Sequence, residues 1–332
     1  MRQFARRQLL RLAGAATAGL ALPRSFAQAL PFDQPKFFYG FPAGSAGDIA
    51  CRRVAERIGG TPYARNRAVV ENRPGAGGRI ALEALKGSPA DGATLCMSPY
   101  SALSIYPHVY RKMNYDAFAD FIPVGTSSVI QHGLALGPTV PASVTDVRGF
   151  IAWAKTNPDK ATYGSPAAGS TPHFLGALLG LSQNADLKHV AYRGSVPGIA
   201  DLVGGQISSM LTPAGDFLPY HRAGRIRLIA TSGRSRLPFA NEVRTFAEQG
   251  FGDFVVEEWF GFHAPARTPA AVVQTASQAI ATVVRDPGFA EALANVGLLP
   301  LAMTSEEMLR SQRAEFERWG PLVKQIGFTA DS

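Results

Sequence analysis

Apolar and polar positions along the chain switch repeatedly between two spacings, and each switch predicts a strand followed by a helix. "KFFYGF" (36–41) is an apolar run of strand length that ends in the turn "PAGSAGD", and "DIACRRVAERI" then spaces its apolar residues as a helix does. "AVVENRPGAGG" (68–78) predicts a second strand and a glycine turn, followed by the helix "RIALEALKGS" and the strand "ATLCMS". "ATYGS" (161–165) runs through "PAAGST" into "PHFLGALLGL", where Phe174, Leu175, Leu178 and Leu179 form a helical stripe. "KHVAY" (188–192) leads through "RGS" into "VPGIADLVGG", which stops at Gly204 and Gly205. "DFLPYHRAG" and "RIRLIATS" predict one more helix and strand. Strand and helix alternating from end to end predict α/β layers, with helices covering mostly parallel sheets.

Two segments break the alternation. "FIPVGTSSVIQHGLAL" (121–136) and "FVVEEWFGFHAPA" (254–266) are long apolar strands suited to crossing between lobes. A chain that crosses twice leaves its first and last thirds in one lobe, here 30–130 with 256–332, and its middle, 131–255, in the other. The C-terminal segments "PAAVVQTASQAIATVVRD" and "SEEMLRSQRAEFERWGPLVKQIG" predict amphipathic helices, the second capped by Ser305, that pack on the first lobe.

The first 29 residues have the design of an export signal. Arg2, Arg6, Arg7 and Arg11 form a basic head, Leu12 to Leu22 is apolar but too short to span a bilayer, and Ser25, Ala27 and Ala29 offer cleavage after Ala27 or Ala29. The Arg6-Arg7 pair followed by Gln8-Leu9-Leu10 fits a twin-arginine signal, and an ordinary secretory signal fits as well. Removing this leader changes the charge. The full chain has 33 Lys+Arg and 25 Asp+Glu; five arginines lie in the leader, so the remainder carries 28 against 25, a net +3 rather than +8. The high isoelectric point is therefore no argument for nucleic-acid binding, and no basic run interleaved with aromatics appears. About 300 remaining residues predict two domains.

Cys51 and Cys96 are too few for a structural zinc or an iron–sulfur cluster. An oxidising compartment permits a disulfide between them, but Cys51 falls in a predicted helix and Cys96 in a predicted buried strand, where free cysteines act as small hydrophobes. His108, His132, His173, His189, His221 and His263 form no metal-binding pair, and neither a nucleophile elbow nor a dinucleotide fingerprint is present. The chain is read as a non-enzyme without cofactor or metal. His173, following the "GST" turn, reads as a surface or packing residue, and Asp48 as a helix-head residue facing the dipole.

Three strand-to-helix turns are built from Gly, Ser, Thr and Pro, and each brings free backbone N–H groups to a helix start, which suits an anion. In "GSPAAGST" (164–171), Pro172 follows as the expected first helical residue with Thr171 as cap. Its spacing resembles a phosphate loop, but Ser170 stands where that motif needs lysine, so a nucleoside triphosphate is a poor ligand and a carboxylate a natural one. Gly44, Ser45, Ala46 and Gly47 make the first-lobe turn, and Gly194 with Ser195 the third.

Taken together, "FPAGSAGDIACRRVAERI", "VVENRPGAGGRIALEAL" with "PADGATL", "YDAFADFIPV", "YGSPAAGSTPHFLGALL", "HVAYRGSVPGIADLVGGQI", "HRAGRIRLIATS" and "WFGFHAPARTP" resemble, in order and spacing, the periplasmic solute-binding proteins of tripartite tricarboxylate transporters, the Bug family. The resemblance runs from about Phe38 to Gly327. It implies a two-lobed periplasmic-binding-protein fold of the Venus-flytrap, type II-like kind, with two hinge crossings and a ligand cleft between the lobes. It also implies a monomeric receptor that delivers a small organic mono- or dicarboxylate to membrane permease subunits; a sensor-kinase partner and an exported enzyme are the alternatives. By the resemblance, the turns from Phe41 through Ala43, Gly44 and Ser45 to Asp48, and from Ser165 through Ala168, Gly169 and Ser170 to Thr171, grip the carboxylate, and Ser98, Tyr100, Gln131, Tyr192 and Thr212 line the pocket. Departures from the family pattern are "GSAGD", which carries the hydroxyl on Ser45; Arg79, a possible further anion contact; and Thr212, where many members have aspartate. The last implies a ligand without an amino group.

Overall fold

The computed structural model describes residues 30–330, so the leader, with its cleavage and export readings, lies outside the described residues. The strands are β1 (Lys36–Tyr39), β2 (Val69–Asn72), β3 (Thr94–Pro99), β4 (Phe121–Leu136), β5 (Thr162–Ser165), β6 (Lys188–Ala191), β7 (Ser209–Pro213), β8 (Arg227–Thr231), β9 (Glu257–Pro265) and β10 (Leu299–Pro300). Between them run α1 (Ala46–Arg57), α2 (Arg79–Lys86), α3 (Ser101–Ser104), α4 (Tyr106–Val109), α5 (Val147–Thr156), α6 (Thr171–Ser182), α7 (Ser195–Val203) and α8 (Ala214–Arg222). Then come α9 (Ala270–Val284), α10 (Pro287–Ala294) and α11 (Ser305–Ile326).

All ten strands join one sheet, along the path β2-β1-β3-β9-β4-β7-β5-β6, with β8 and β10 pairing to β4 off the path. At 16 residues β4 is far longer than an ordinary strand, and it belongs to both lobes. Residues 121–131 of β4 pair antiparallel with β9 in the first lobe, and residues 132–136 with β7 in the second. Each lobe is a mixed sheet. The β1–β2, β1–β3, β5–β6 and β5–β7 pairs are parallel, as strand–helix–strand crossovers require, whereas the pairs made by the crossing strands are antiparallel because one carries the chain out and the other back. Ser232 ties the crossing together. Its N–H donates to the His132 carbonyl at 2.8 Å, its hydroxyl accepts from the His132 N–H at 2.9 Å, and its carbonyl accepts from the Val256 N–H at 2.8 Å.

Separate apolar cores fill the two lobes. Phe37, Val54, Leu95, Phe262 and Ile280 lie in the first; Ile199, Leu202, Met210, Phe217 and Leu228 lie in the second. A third cluster joins them through Tyr100, Phe174, Trp259 and Trp319. This cluster corrects the expectation for the C-terminal helices. α9 packs on β4 and α1, but α11, about 33 Å long, also reaches α6 of the second lobe, setting Trp319 against Phe174 with ring centroids 6.1 Å apart. Its cap is Thr304 rather than Ser305: the Thr304 hydroxyl accepts from the Glu307 N–H, and Glu307 returns the bond to the Thr304 N–H. The Ser305 hydroxyl instead donates to the Pro123 carbonyl at 2.6 Å. Cys51 on α1 and Cys96 on β3 are both buried and free.

Candidate functional site

Parallel strands within a lobe all end on the same side, so the helices that follow them start there too. The heads of α1, α6, α7 and α8 converge in this way on one buried cavity of about 40 Å³. At the head of α1, the Ser45 hydroxyl accepts from the Asp48 N–H at 3.3 Å and donates to the Pro42 carbonyl at 3.2 Å. Gly47, in the same turn, allows a close approach: an added Cβ would lie 2.6 Å from Phe260 Cζ and closer still to the Tyr39 hydroxyl.

Ser170 caps α6, one residue before the expected Thr171, so Pro172 takes the second helical position rather than the first. The Ser170 hydroxyl accepts from the His173 N–H and donates to the Ala167 carbonyl at 2.7 Å. The loop leading to it is held internally by Ser165, whose hydroxyl donates to Ala167 O at 3.0 Å, and by Gly169, whose N–H donates to His173 Nδ1 at 2.9 Å. His173 is buried and stacked on His189 at 3.7 Å, a packing residue as expected. Burial, with His189 as neighbour, lowers its pKa to about 3; burial lowers that of His189 to about 4.

Of the residues expected from the sequence, Phe41, Ser45, Ser170 and Thr212 line the cavity. The others are not among its lining residues. Ala43 and Gly44 are exposed on the outside of the first turn. Asp48 faces away from the cavity: its carboxylate accepts from the Gly44 N–H (2.9 Å), Arg52 Nε (3.0 Å) and Asn72 Nδ2 (2.7 Å), which staples the turn to β2. The Ser98 hydroxyl donates to the Pro99 carbonyl, the Tyr100 hydroxyl accepts from Trp319 Nε1, and Gln131 Nε2 donates to the Ser235 carbonyl. The Ala168 carbonyl accepts from the Tyr110 hydroxyl of the first lobe, and the Tyr192 hydroxyl donates to Asp201. Thr171 is fully buried and its hydroxyl has no hydrogen-bond partner. Arg79 lies over the Tyr110 ring at 3.8 Å with Nε on the Ala76 carbonyl, and is not among the lining residues.

Asp216, Glu258 and His132 also line the cavity, and none of the three is among the pocket residues expected from the sequence. The Asp216 Oδ1 accepts from the Ala46 N–H at 2.7 Å, joining the head of α8 in the second lobe to the head of α1 in the first. Burial raises its pKa, and the Ala46 amide and the Ser195 hydroxyl pull in the opposite direction. Glu258 accepts from His132 Nε2 at 2.9 Å and from the Ser101 N–H at 2.9 Å. A signal existed for two of the three, because His132 and Glu258 are ionisable residues inside otherwise apolar crossing strands. Asp216 leaves a different mark. It lies four residues beyond Thr212, in the first turn of α8, and supplies a carboxylate to the same cavity. No lysine or arginine lines it, and among the described residues no cluster of three or more metal-ligating side chains exists.

A two-lobed α/β sheet whose helix heads share one cleft defines the chain as a protein of the periplasmic solute-binding class. A family model described as "Tripartite tricarboxylate transporter family receptor" matches residues 53–328, and the chain belongs to that family. It is 30% identical to Protein BugT of Bordetella pertussis (strain Tohama I), over 94% of each chain. A solved structure described as a periplasmic transporter superposes with a TM-score of 0.85 at 30% identity, covering 91% of this chain and 99% of that one. An R. palustris protein solved with adipate gives 0.84 at 27% identity, covering 91% and 100%.

Proposed function

We propose that this protein is an extracytoplasmic receptor that captures a small organic carboxylate and hands it to the permease of a tripartite tricarboxylate-type transporter. The observation that carries this reading is the convergence of helix heads from both lobes on one buried cavity without a lysine or arginine. Oriented N–H groups and hydroxyls hold an anion at such heads without a fixed cation. In this reading the carboxylate rests on Ser170 and Ser195 in the second lobe, Ser45 and Phe41 close over it from the first, and Thr212 forms the floor. Lobe one comprises 30–130 with 256–332 and lobe two 131–255, and they part by bending at the β4 and β9 crossings. The adipate bound by the R. palustris relative supports a linear carboxylate as ligand.

The cavity binds without turnover in this reading. Ser45 and Ser170 serve as helix caps, and the histidine is engaged by Glu258. Residues 1–29 direct export to the periplasm, where the protein acts as a monomer. No described helix is long and apolar enough to cross a membrane.

The test is a thermal-shift screen of refolded, ligand-stripped protein against carboxylates. A ligand at a hundredfold excess over its Kd adds about 2.7 kcal/mol and raises Tm by several degrees. Ser170→Asp sets a negative charge beside the ligand's own and is expected to remove the shift. A shift retained in that variant refutes the assignment of the loop.

A further inference from the structure

We infer that His132 is the side chain that answers the ligand's charge: its Nδ1 takes up a proton from solvent as the ligand enters and donates that N–H to the ligand's carboxylate. This rests on the carboxylate-receptor reading and adds a proton to it. His132 lines the cavity and is 1% exposed. Its Nε2 lies 2.9 Å from Oε2 of Glu258, and an ionised carboxylate only accepts, so that nitrogen carries a hydrogen. Nδ1, the other ring nitrogen, is buried and has no hydrogen-bond partner among the described residues. Buried polar atoms without partners are rare, and one in the wall of a binding cavity marks a place for a ligand atom. A bare Nδ1 lone pair repels a carboxylate, whereas Nδ1–H binds it. In the empty cavity the preference reverses, because a proton on Nδ1 would be a buried donor without an acceptor. The proton therefore arrives with the ligand.

The neighbouring groups leave this task to His132. Ser45 and Ser170 spend their hydroxyl protons on the Pro42 and Ala167 carbonyls, at 3.2 and 2.7 Å, while Asp216 of α8 holds the Ala46 N–H and the hydroxyls of Ser195 and Thr212. An imidazolium at 132 has Glu258 of β9 at its Nε2, and Asp216 lies within electrostatic reach of the same ring. Tyr39 of β1, which also lines the cavity, stays a neutral phenol because burial raises its pKa. Behind Glu258, Glu315 of α11 is paired with Arg318 at 3.5 Å. No lysine or arginine among the described residues lines the cavity, so a ligand carboxylate joins two acids in a desolvated space. One proton on His132 turns that repulsion into a charge-assisted hydrogen bond.

Calorimetry counts the proton: propionate, succinate, malate and adipate are titrated into the refolded, ligand-stripped chain in phosphate and in Tris at pH 7.5, two buffers of different ionisation enthalpy. An acid that binds is expected to bring about half a proton or more with it, and its Kd to rise with pH by up to about tenfold per unit. His132→Gln keeps a donor for Glu258 but has no site for the proton. It is expected to bind the same acid about tenfold or more weakly, and without uptake. Binding by the wild-type chain without uptake overturns this inference and leaves the carboxylate receptor standing. Uptake that survives in His132→Gln places the proton elsewhere, on Asp216, and overturns it too. Failure of every acid to bind overturns both readings. Should the variant not fold, nitrogen NMR of the wild-type histidines decides: one ring passing from neutral to imidazolium as the acid is added is expected, and none doing so overturns the inference.

Discussion

Gly215 at the head of α8 lies directly against the Val296 carbonyl beyond α10: a Cβ built on Gly215 would fall well inside van der Waals contact with that oxygen and 3.0 Å from the Cα of Gly297. Backbone meets backbone here, across the two sides of the cleft. Gly215→Ala therefore puts a methyl group in the seam. In the proposed hinge motion, the cost of such overpacking, about 1–3 kcal/mol, falls on the closed arrangement alone. Ligand affinity should drop by about 5- to 150-fold, with the thermal stability of the unliganded chain nearly unchanged. Calorimetry paired with solution scattering checks it; unchanged affinity with an unchanged radius of gyration would show that the seam does not limit closure.

Asp48 is expected to govern binding without touching ligand. Its carboxylate is hydrogen-bonded by Gly44, Arg52 and Asn72, and Asn72 Nδ2 also reaches the Phe41 carbonyl at 3.1 Å, so one network holds the whole turn from 41 to 48. Asp48→Ala removes the acceptor and leaves the half-buried Asn72 amide short of a partner, at a cost of about 1–3 kcal/mol. Both Tm and affinity should fall. Asp48→Asn should restore part of each, because its amide oxygen still accepts. A variant with full stability and lost binding would instead mean direct contact with the ligand.

Acid should weaken the fold in a defined window. Burial lowers the pKa of His173 to about 3 and those of His189 and His263 to about 4, from an ordinary value of 6.5. As pH falls below 6.5 the unfolded chain takes up protons on these residues and the folded chain does not, so stability is lost between about pH 6.5 and 4. Each histidine contributes up to ~1.4 kcal/mol per pH unit. Urea unfolding at pH 7.5, 6, 5 and 4.5 should show this slope, and His189→Gln should reduce it by one residue's share. A flat profile down to pH 5 would contradict the buried neutral imidazoles.

Reductant should have no effect on stability. Cys51 and Cys96 are free and buried, and burial raises the pKa of both thiols, so neither is a ready nucleophile. The folded protein should resist a thiol reagent that labels both residues in denaturant. Its Tm should match with and without dithiothreitol. A drop of several degrees on reduction would reveal a disulfide.

Much of the fold is written in short stretches of chain. The 16-residue strand at 121–136, the helix stripe of Phe174, Leu175, Leu178 and Leu179, and the stop at Gly204 all follow from the spacing of neighbouring residues, a property that needs no distant partner. Caps were legible to within one residue. Ser170 and Thr304 won over Thr171 and Ser305 because a cap is chosen by backbone angles, and in each pair both residues carry the hydroxyl.

The cavity is another matter. Local pattern shows that turns rich in glycine and serine will each present free N–H groups, and the order of motifs is enough to name the family. It does not show which residues face one another. Ala46 and Asp216 are separated by 170 positions, His132 and Glu258 by 126, and each pair meets because β4 and β9 cross between lobes and bring helix heads from both together. Nothing in the spacing of "DFLPYHRAG" distinguishes a surface aspartate at a helix start from one sealed in a cleft. Sequence alone determined the strands, the helices and the kind of turn between them, because those depend on bonds among neighbours. Tertiary structure alone decided the charge inside the cavity, because burial and the company a carboxylate keeps depend on chain that arrives from far away.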